Sequence, residues 1–320
     1  MFFSFQSAWL ELILAFVLHM LIGAPQWLWK IHPARLIIWL EKFLEGVLRE
    51  KMGFELRRAG GVLSIACIAV SFAAGFLLSG FSWIARVLVM NFAFNCARMF
   101  ILPAKAEKAL QVHDLSKARQ IISRYVRTDT ERISERESIS ATVLFMGHSL
   151  CDACIAPLFW ISLFSLIGLG SPAAMVWISI DALDRRIGNR TRNNTDIGWF
   201  SAKLSDIAGA IPARLSGWAV VIATAILRMD FRRALRIMDR DHGAHISPNG
   251  GWAAAALSGA LGIQLGGDVR IKGVVIHRRL IGDPATVMET DDIGRALRIM
   301  TVAVCGALLL AVIALAVFGA

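Results

Sequence analysis

The sequence predicts an all-α protein that crosses a membrane several times, and three observations carry that prediction. Hydrophobic residues make up 56% of the 320 positions and charged residues only 18%, where a soluble domain carries about 25%; the mean hydropathy is +0.59. Lys and Arg outnumber Asp and Glu by 34 to 24, and the excess sits between apolar blocks, as in the retained loops of multi-pass proteins. The apolar blocks approach the roughly 20 residues that a spanning helix needs. Disorder, collagen and a disulfide scaffold are excluded by the same composition. Nucleic acid is not an expected partner, because the basic residues alternate with acids and are spread along the chain.

Taken in order, spans are expected at 8–23, 62–80, 81–103, 141–169 and 301–319, with 171–180 and 207–227 less well defined. The opening stretch has neither a basic leader nor a small-residue cleavage site, so it reads as a retained first span. A tight turn at Gly80–Ser82 predicts an antiparallel hairpin of the second and third spans. Loops 24–61 and 104–140 hold seven and eight Lys/Arg, and 228–300 holds eleven. The positive-inside rule therefore places them in the cytoplasm and the N-terminus outside. Loop 181–206 faces outward if 141–169 and 207–227 each cross once. It stays inside if 141–180 is a hairpin broken at Gly168–Pro172, with 207–227 re-entrant or buried around Pro212 and Arg214; the second arrangement is preferred. The expectation is one membrane domain over 1–320 in an inner membrane.

Smaller signals fill the loops. Ala104–Ile122 has helical spacing, with Ala109, Leu110, Val112, Leu115, Ala118 and Ile121/Ile122 as a buried stripe. Ser134 and Glu137 have the spacing of a capping box. Segment 251–265 reads as an apolar helix, followed by a Gly-rich turn at 265–268 and a β-like run at 273–276. The cysteines are read as small hydrophobes, and Cys151 and Cys154 lack the second pair of a zinc site.

Five places hold chemistry that helix packing does not require. Glu11 and His19 lie about 80° apart on the first span's helical wheel; they serve either a shared cavity or bundle hydrogen bonding. Gly23–Arg35 is a Pro/Trp-rich exit, either an interfacial belt with Trp27 and Trp29 at headgroup level or a polar site using His32 and Arg35. Arg127–Asp129–Thr130 is a surface turn or a site. Asp184, Asp196, Lys203, Asp206 and Arg214 sit between apolar segments, where ionisable groups are costly. His245-Ile-Ser247-Pro-Asn249-Gly-Gly251-Trp252 is a Gly-rich turn before a helix, able to offer N–H groups to phosphate. Walker A, G-x-G-x-x-G and H-E-x-x-H patterns are absent.

These stretches together resemble the CobD/CbiB family, the membrane-embedded adenosylcobinamide-phosphate synthases of cobalamin biosynthesis. The most specific are His245 through Gly267, Gly273-Val-Val and Leu280–Asp283, joined in order by Trp27…His32-Pro33…Arg35, Ala156–Trp160, Gly198–Asp206 and Ile211–Leu215. The resemblance implies ATP-dependent amide formation between adenosylcobyric acid and aminopropanol phosphate or a related amino alcohol. ATP makes the carboxylate an acyl phosphate, which the amine displaces. It also implies Mg²⁺ as cofactor, a corrinoid as substrate, and the bilayer and other proteins of the pathway as partners. Under it, Asp152, Asp184, Lys203 and Asp206 would be catalytic, with Asp152 and Asp184 on the metal. His32, Arg35, Arg127, Arg214, His245, Ser247, Asn249 and Gly251 would bind substrate or phosphate.

The chain departs from the family at several acids. His19, Ala24, Leu144, His148, Arg185 and Arg192 stand at or beside positions where carboxylates are usual. The alternative implied by those departures is a non-catalytic paralogue that binds a corrinoid or a phosphorylated ligand. A transporter would want broken helices in corresponding halves, and no two-fold internal symmetry is present.

Overall fold

A computed structural model describes residues 8–23, 26–51, 56–188 and 195–319. Ala24, Pro25 and Arg192, like the first seven residues, lie outside the described residues. The fold is helical, as expected: α1 (Ala8–Ile22), α2 (Pro33–Lys51), α3 (Leu56–Ser79), α4 (Trp83–Ala93), α5 (Cys96–Gln111), α6 (Leu115–Ile122) and α7 (Glu135–Leu150) come first. They are followed by α8 (Ala156–Ser165), α9 (Gly170–Arg186), α10 (Trp199–Ile226), α11 (Phe231–Asp241), α12 (Gly251–Leu261) and α13 (Asp291–Phe318). Among the described residues, four helical stretches are long and apolar enough to cross a bilayer: Leu56–Ser79, Glu135–Ser165, Trp199–Ile226 and Asp291–Phe318. The pair α4–α5 makes a fifth if its 43° bend is counted within one span.

Several sequence expectations change. The expected span 81–103 is interrupted at residues 94–95. Segment 207–227 is the C-terminal part of a 28-residue helix that continues through Pro212, so Pro212 does not break it. Segment 171–180 belongs to α9, most of which is buried. The helix expected over Ala104–Ile122 is two helices. His113 takes a left-handed φ of 56°, and the Asp114 side chain caps α6 by accepting from the Lys117 N–H at 2.9 Å. Val112, at the break, is 72% exposed and leaves the predicted stripe, whereas Ala109, Leu110, Ala118, Ile121 and Ile122 are buried. Pro33–Lys51, expected as loop, is a 19-residue helix.

The chain falls into two compact units: residues 1–95, 157–209 and 308–320 form the first, and 96–156 and 210–307 the second. In the first unit, the turn at 80–82 folds α4 back after α3, and the Ser82 side chain caps α4 by accepting from the Ala85 N–H. Close approach of α3 to α9 depends on Gly75, whose Cβ would stand 2.8 Å from Pro172 Cα. Glu11 settles into the bundle: both its oxygens accept from Arg86 of α4, at 3.0 and 2.9 Å from Nε. His19 is buried against Phe94. Bundle hydrogen bonding thus accounts for Glu11 without a shared cavity.

In the second unit, Ser134 and Glu137 form the expected capping box at the start of α7. All eleven residues of α12 except Trp252 are buried, which its run of alanines permits because small side chains let neighbouring helices come close. Gly147 of α7 is the point of contact, since a Cβ there would lie 2.6 Å from Ala254 Cα. Between α12 and α13 are two antiparallel ribbons, β1 (Leu265–Gly266) with β4 (Leu280–Ile281), and β2 (Val269–Ile271) with β3 (Val274–Ile276). Lys272 and Gly273 both have positive φ (51° and 79°), the backbone that a tight hairpin requires. Asp129 clamps that turn, its carboxylate accepting from the Lys272 and Gly273 N–H groups at 3.1 and 2.7 Å. The Arg127–Thr130 stretch is therefore a structural turn in which Arg127 is exposed. Cys96 of α5 and Cys154 lie side by side in this unit, both fully buried.

Candidate active site

The second unit gathers ionisable groups where α7 gives way to a π-helical turn, Cys151–Ile155. A π-turn inserts one residue per turn and re-aims side chains, and such turns concentrate at functional sites. His148 and Asp152 flank its start, with His148 Nε2 3.6 Å from Asp152 Oδ2. Both lie inside the apolar stretch Glu135–Ser165, where an ionisable pair is costly unless it serves a purpose. Opposite them, the His245 ring stacks on His148 with centroids 5.3 Å apart. His148 Nδ1 is buried and has no hydrogen-bond partner among the described residues.

The turn that carries His245 is held by its own backbone. Ser247 N–H donates to His245 Nδ1 at 3.1 Å, and Asn249 N–H donates to Ser247 Oγ at 3.3 Å. Burial pushes the His245 pKa down to about 4, with His148 and Arg278 adding to the fall. At neutral pH His245 is an uncharged imidazole with a fixed acceptor at Nδ1. Gly250 must be glycine for this to fit: a Cβ there would lie 2.5 Å from His148 Nδ1 and 2.6 Å from His245 Nδ1. Both nitrogens therefore look onto the same small space.

Cations border this arrangement. Arg278 is half-buried, and its Nε lacks a partner among the described residues. Burial lowers its pKa, the mark of a guanidinium that would gain from an anion. Arg214 is exposed; it donates to the Ala210 carbonyl at 2.7 Å and lies 4.9 Å over the Trp252 ring. His242 stacks on that ring with centroids 4.0 Å apart. Gly251 is buried at the start of α12.

The chain matches the model of the CobD/Cbib protein family over residues 12–300. The chain belongs to the CobD/CbiB family. It is 33% identical over 300 residues to the cobalamin biosynthesis protein CbiB of Salmonella typhi, covering 91% of this chain and 92% of that relative. It is 34% identical over 301 residues to the CobD of Citrobacter koseri, with the same coverage. Against the CobD of Clostridium perfringens it is 30% identical over 299 residues, covering 89% of this chain and 90% of the relative. No solved structure matches.

Within this CobD/CbiB chain, the residues expected at the site divide between the units. Asp152, Arg214, His245, Ser247, Asn249 and Gly251 belong to the second unit, and the contacts above draw them to one end of α12. Arg127 is in the same unit but on the clamped turn. His32, Arg35, Asp184, Lys203 and Asp206 belong to the first unit. There His32 is a helix cap: its Nδ1 accepts from the Ala34 N–H at 3.1 Å, and its ring packs edge-on to Phe92. Burial pushes its pKa down to about 4, and Arg185 contributes to the fall. Arg35 is exposed beside a groove of about 250 Å³ that Lys30, His32 and Trp39 also line. Lys203 is exposed on α10, whereas Asp206 and Asp184 are half-buried.

The metal expectation finds a thin donor set. Among the described residues, no group of three or more His, Cys, Asp or Glu is arranged to hold a metal ion. Asp152 offers one carboxylate, already beside His148. That suits a Mg²⁺ carried on phosphates, which needs only one or two carboxylates from protein, and does not suit a cage of protein ligands.

Sequence reasoning missed His148 as a participant, treating it only as a lost acid, and it missed Arg278. The four-residue spacing from His148 to Asp152 inside an apolar run was the available signal. The π-turn that sets their geometry has no marker such as Gly or Pro.

Proposed function

We propose that this protein acts in cobalamin biosynthesis as an ATP-dependent amide ligase, joining the carboxylate of adenosylcobyric acid to the amine of aminopropanol phosphate or a close relative. The product is adenosylcobinamide phosphate. The observation that carries the reading is the His148–Asp152–His245 arrangement beside a Gly-rich turn and a half-buried arginine, in a chain that aligns with CbiB and CobD proteins over nine-tenths of its length.

In this reading, ATP transfers its γ-phosphoryl group to the corrinoid carboxylate and leaves as ADP. The amine then attacks the acyl carbon, the C–N bond forms, and inorganic phosphate departs with the C–O bond electrons. Asp152 would help to hold a Mg²⁺ ion brought with the nucleotide, which would offset triphosphate charge. The chain supplies the rest. Arg278 and Arg214 offset phosphate charge, and the positive end of α12, which starts at Gly251, favours phosphate oxygens beside them. The amine arrives as an ammonium ion and must lose a proton before attack. His148 Nδ1, buried and without a hydrogen-bond partner among the described residues, is the group placed to take that proton. Asp152 near His148 Nε2 favours the tautomer with the proton on Nε2, which leaves the unpartnered Nδ1 as the acceptor. The basic loops are proposed to face the cytoplasm of the inner membrane, where ATP is available.

The test uses purified protein in nanodiscs, ATP, aminopropanol phosphate and adenosylcobyric acid labelled with ¹⁸O in its free carboxylate. The expected result is amide product with one ¹⁸O carried into inorganic phosphate. Corrinoid binding without amide formation at any ATP concentration would overturn the reading in favour of a binding protein.

A further inference from the structure

Helix α2 has two apolar faces, and only one of them is used by the fold. Ala34, Ile37 and Leu48 are buried against the first unit. On another side, Leu36, Trp39 and Phe43 are 71%, 64% and 57% exposed, and the Trp39 and Phe43 rings stack face to face. At 100° per residue, Leu36, Leu40, Phe43 and Val47 fall within about 60° of one another. That is a continuous apolar stripe three turns long. Exposed Trp27, Trp29 and Ile31 extend it at the helix entrance.

The charges of α2 are sorted in the same sense. Arg35 and Lys42 are exposed, seven residues apart and therefore on one flank of the stripe. Glu41 is fully buried, paired with Arg186, and Glu45, half-buried, interacts with it. No acid between residues 33 and 48 is exposed. An aromatic stripe with cations along its edge and acids turned inward is the pattern of a helix lying in a bilayer interface.

From this sorting we infer that α2 is an in-plane interfacial helix, its Leu36–Phe43 stripe sunk at the acyl–headgroup boundary and Arg35 and Lys42 held among anionic headgroups. The chain connectivity supports a membrane as the occupant. The helix lies in the chain between the apolar α1 and the spanning α3, so a bilayer is already within reach.

The test is made on the full chain in vesicles, in a Cys305→Ser background that removes the exposed thiol; Cys67 and Cys151 are buried. A bimane label is placed at Phe43→Cys, at Leu36→Cys as a second stripe position, and at Lys42→Cys on the flank. In phosphatidylcholine–phosphatidylglycerol vesicles with brominated acyl chains, the stripe labels are expected to lose most of their emission and to resist aqueous iodide. The flank label should show the reverse. Acyl-chain quenching at the stripe should weaken in pure phosphatidylcholine and in the Arg35→Gln/Lys42→Gln variant. Stripe labels quenched by iodide as fully as the flank label would overturn the inference. So would stripe labels reached by neither quencher, which would mean that protein covers the face. Equal acyl-chain quenching with and without phosphatidylglycerol would overturn the part played by anionic headgroups.

Discussion

Replacing Gly250 by alanine tests the candidate site with a single methyl group. Gly250 has φ −70° and ψ −17°, a conformation open to any L residue, so the change costs nothing in backbone strain. It even narrows the unfolded ensemble, worth about 0.4–1 kcal/mol in favour of folding. The penalty is steric and local. The new Cβ would meet His148 Nδ1 at 2.5 Å, and His245 Nδ1 and Cε1 at 2.6 and 2.7 Å, where ordinary contact begins at 3.4 Å. Both rings must give way, His148 by roughly 0.9 Å and His245 by roughly 0.8 Å, the differences of 2.5 and 2.6 Å from 3.4 Å. His148, whose side chain is 41% exposed, can yield towards solvent, whereas His245 can move only by straining its bond from the Ser247 N–H. Overpacking of this kind costs about 1–3 kcal/mol, and a displacement near 1 Å of a reacting group costs up to about 100-fold in rate. The expected outcome is a fall of about 10- to 100-fold in amide formation with a small drop in Tm. Gly243→Ala, where nothing lies within 4 Å of the added methyl, should leave both unchanged. A Gly250→Ala protein with full rate would refute the claim that the two imidazoles share a working space.

Other perturbations read separate parts of the account. The His245 pKa is lowered from 6.5 to about 4, so the unfolded chain binds more protons in that interval. Its contribution to stability is complete above pH 6.5 and falls by about 3 kcal/mol as the pH drops to 4; His245→Gln should flatten the pH dependence of unfolding there. The buried pair in the first unit should respond asymmetrically, because the Glu41 side chain is fully buried and Arg186 is 35% exposed. Arg186→Ala strands a buried carboxylate and should cost about 3–5 kcal/mol, whereas Glu41→Gln leaves an arginine that can reach water and should cost less, as thermal unfolding would show. Asp129→Asn weakens both clamps on the Lys272–Gly273 turn. It should cost about 1 kcal/mol and speed amide exchange over 269–276, while exchange in α12 stays unchanged.

The sequence carried the helical membrane class because that class is written in composition and block length. It also carried the capping box at Ser134 and the turn at 80–82, since caps and tight turns use residues whose chemistry acts within a few positions. The break at His113 was harder to read: a histidine in a left-handed conformation has no sequence marker, and Asp114 became visible as a cap only with its Lys117 partner. α2 was hidden because its two apolar faces blur a single 3.6-residue period. At the site, the Gly-rich turn was legible and so was Asp152. His148 was not, because its meaning depends on a π-turn and on His245, 97 positions later. His32 shows a different case: the sequence offered an interfacial belt or a polar site there, and only the structure shows its Nδ1 taken by the Ala34 N–H at the start of α2.

Asp152, beside His148, is the carboxylate on which the proposed site in the second unit depends. The most direct measurement is therefore the single-turnover rate of amide formation by folded Asp152→Asn protein in nanodiscs, set beside the unsubstituted chain at the same corrinoid occupancy. The account predicts a loss of at least about 100-fold, the scale on which general acid–base groups act, with corrinoid binding retained. An unchanged rate, or an unsubstituted chain that binds corrinoid and ATP yet forms no amide, would contradict it.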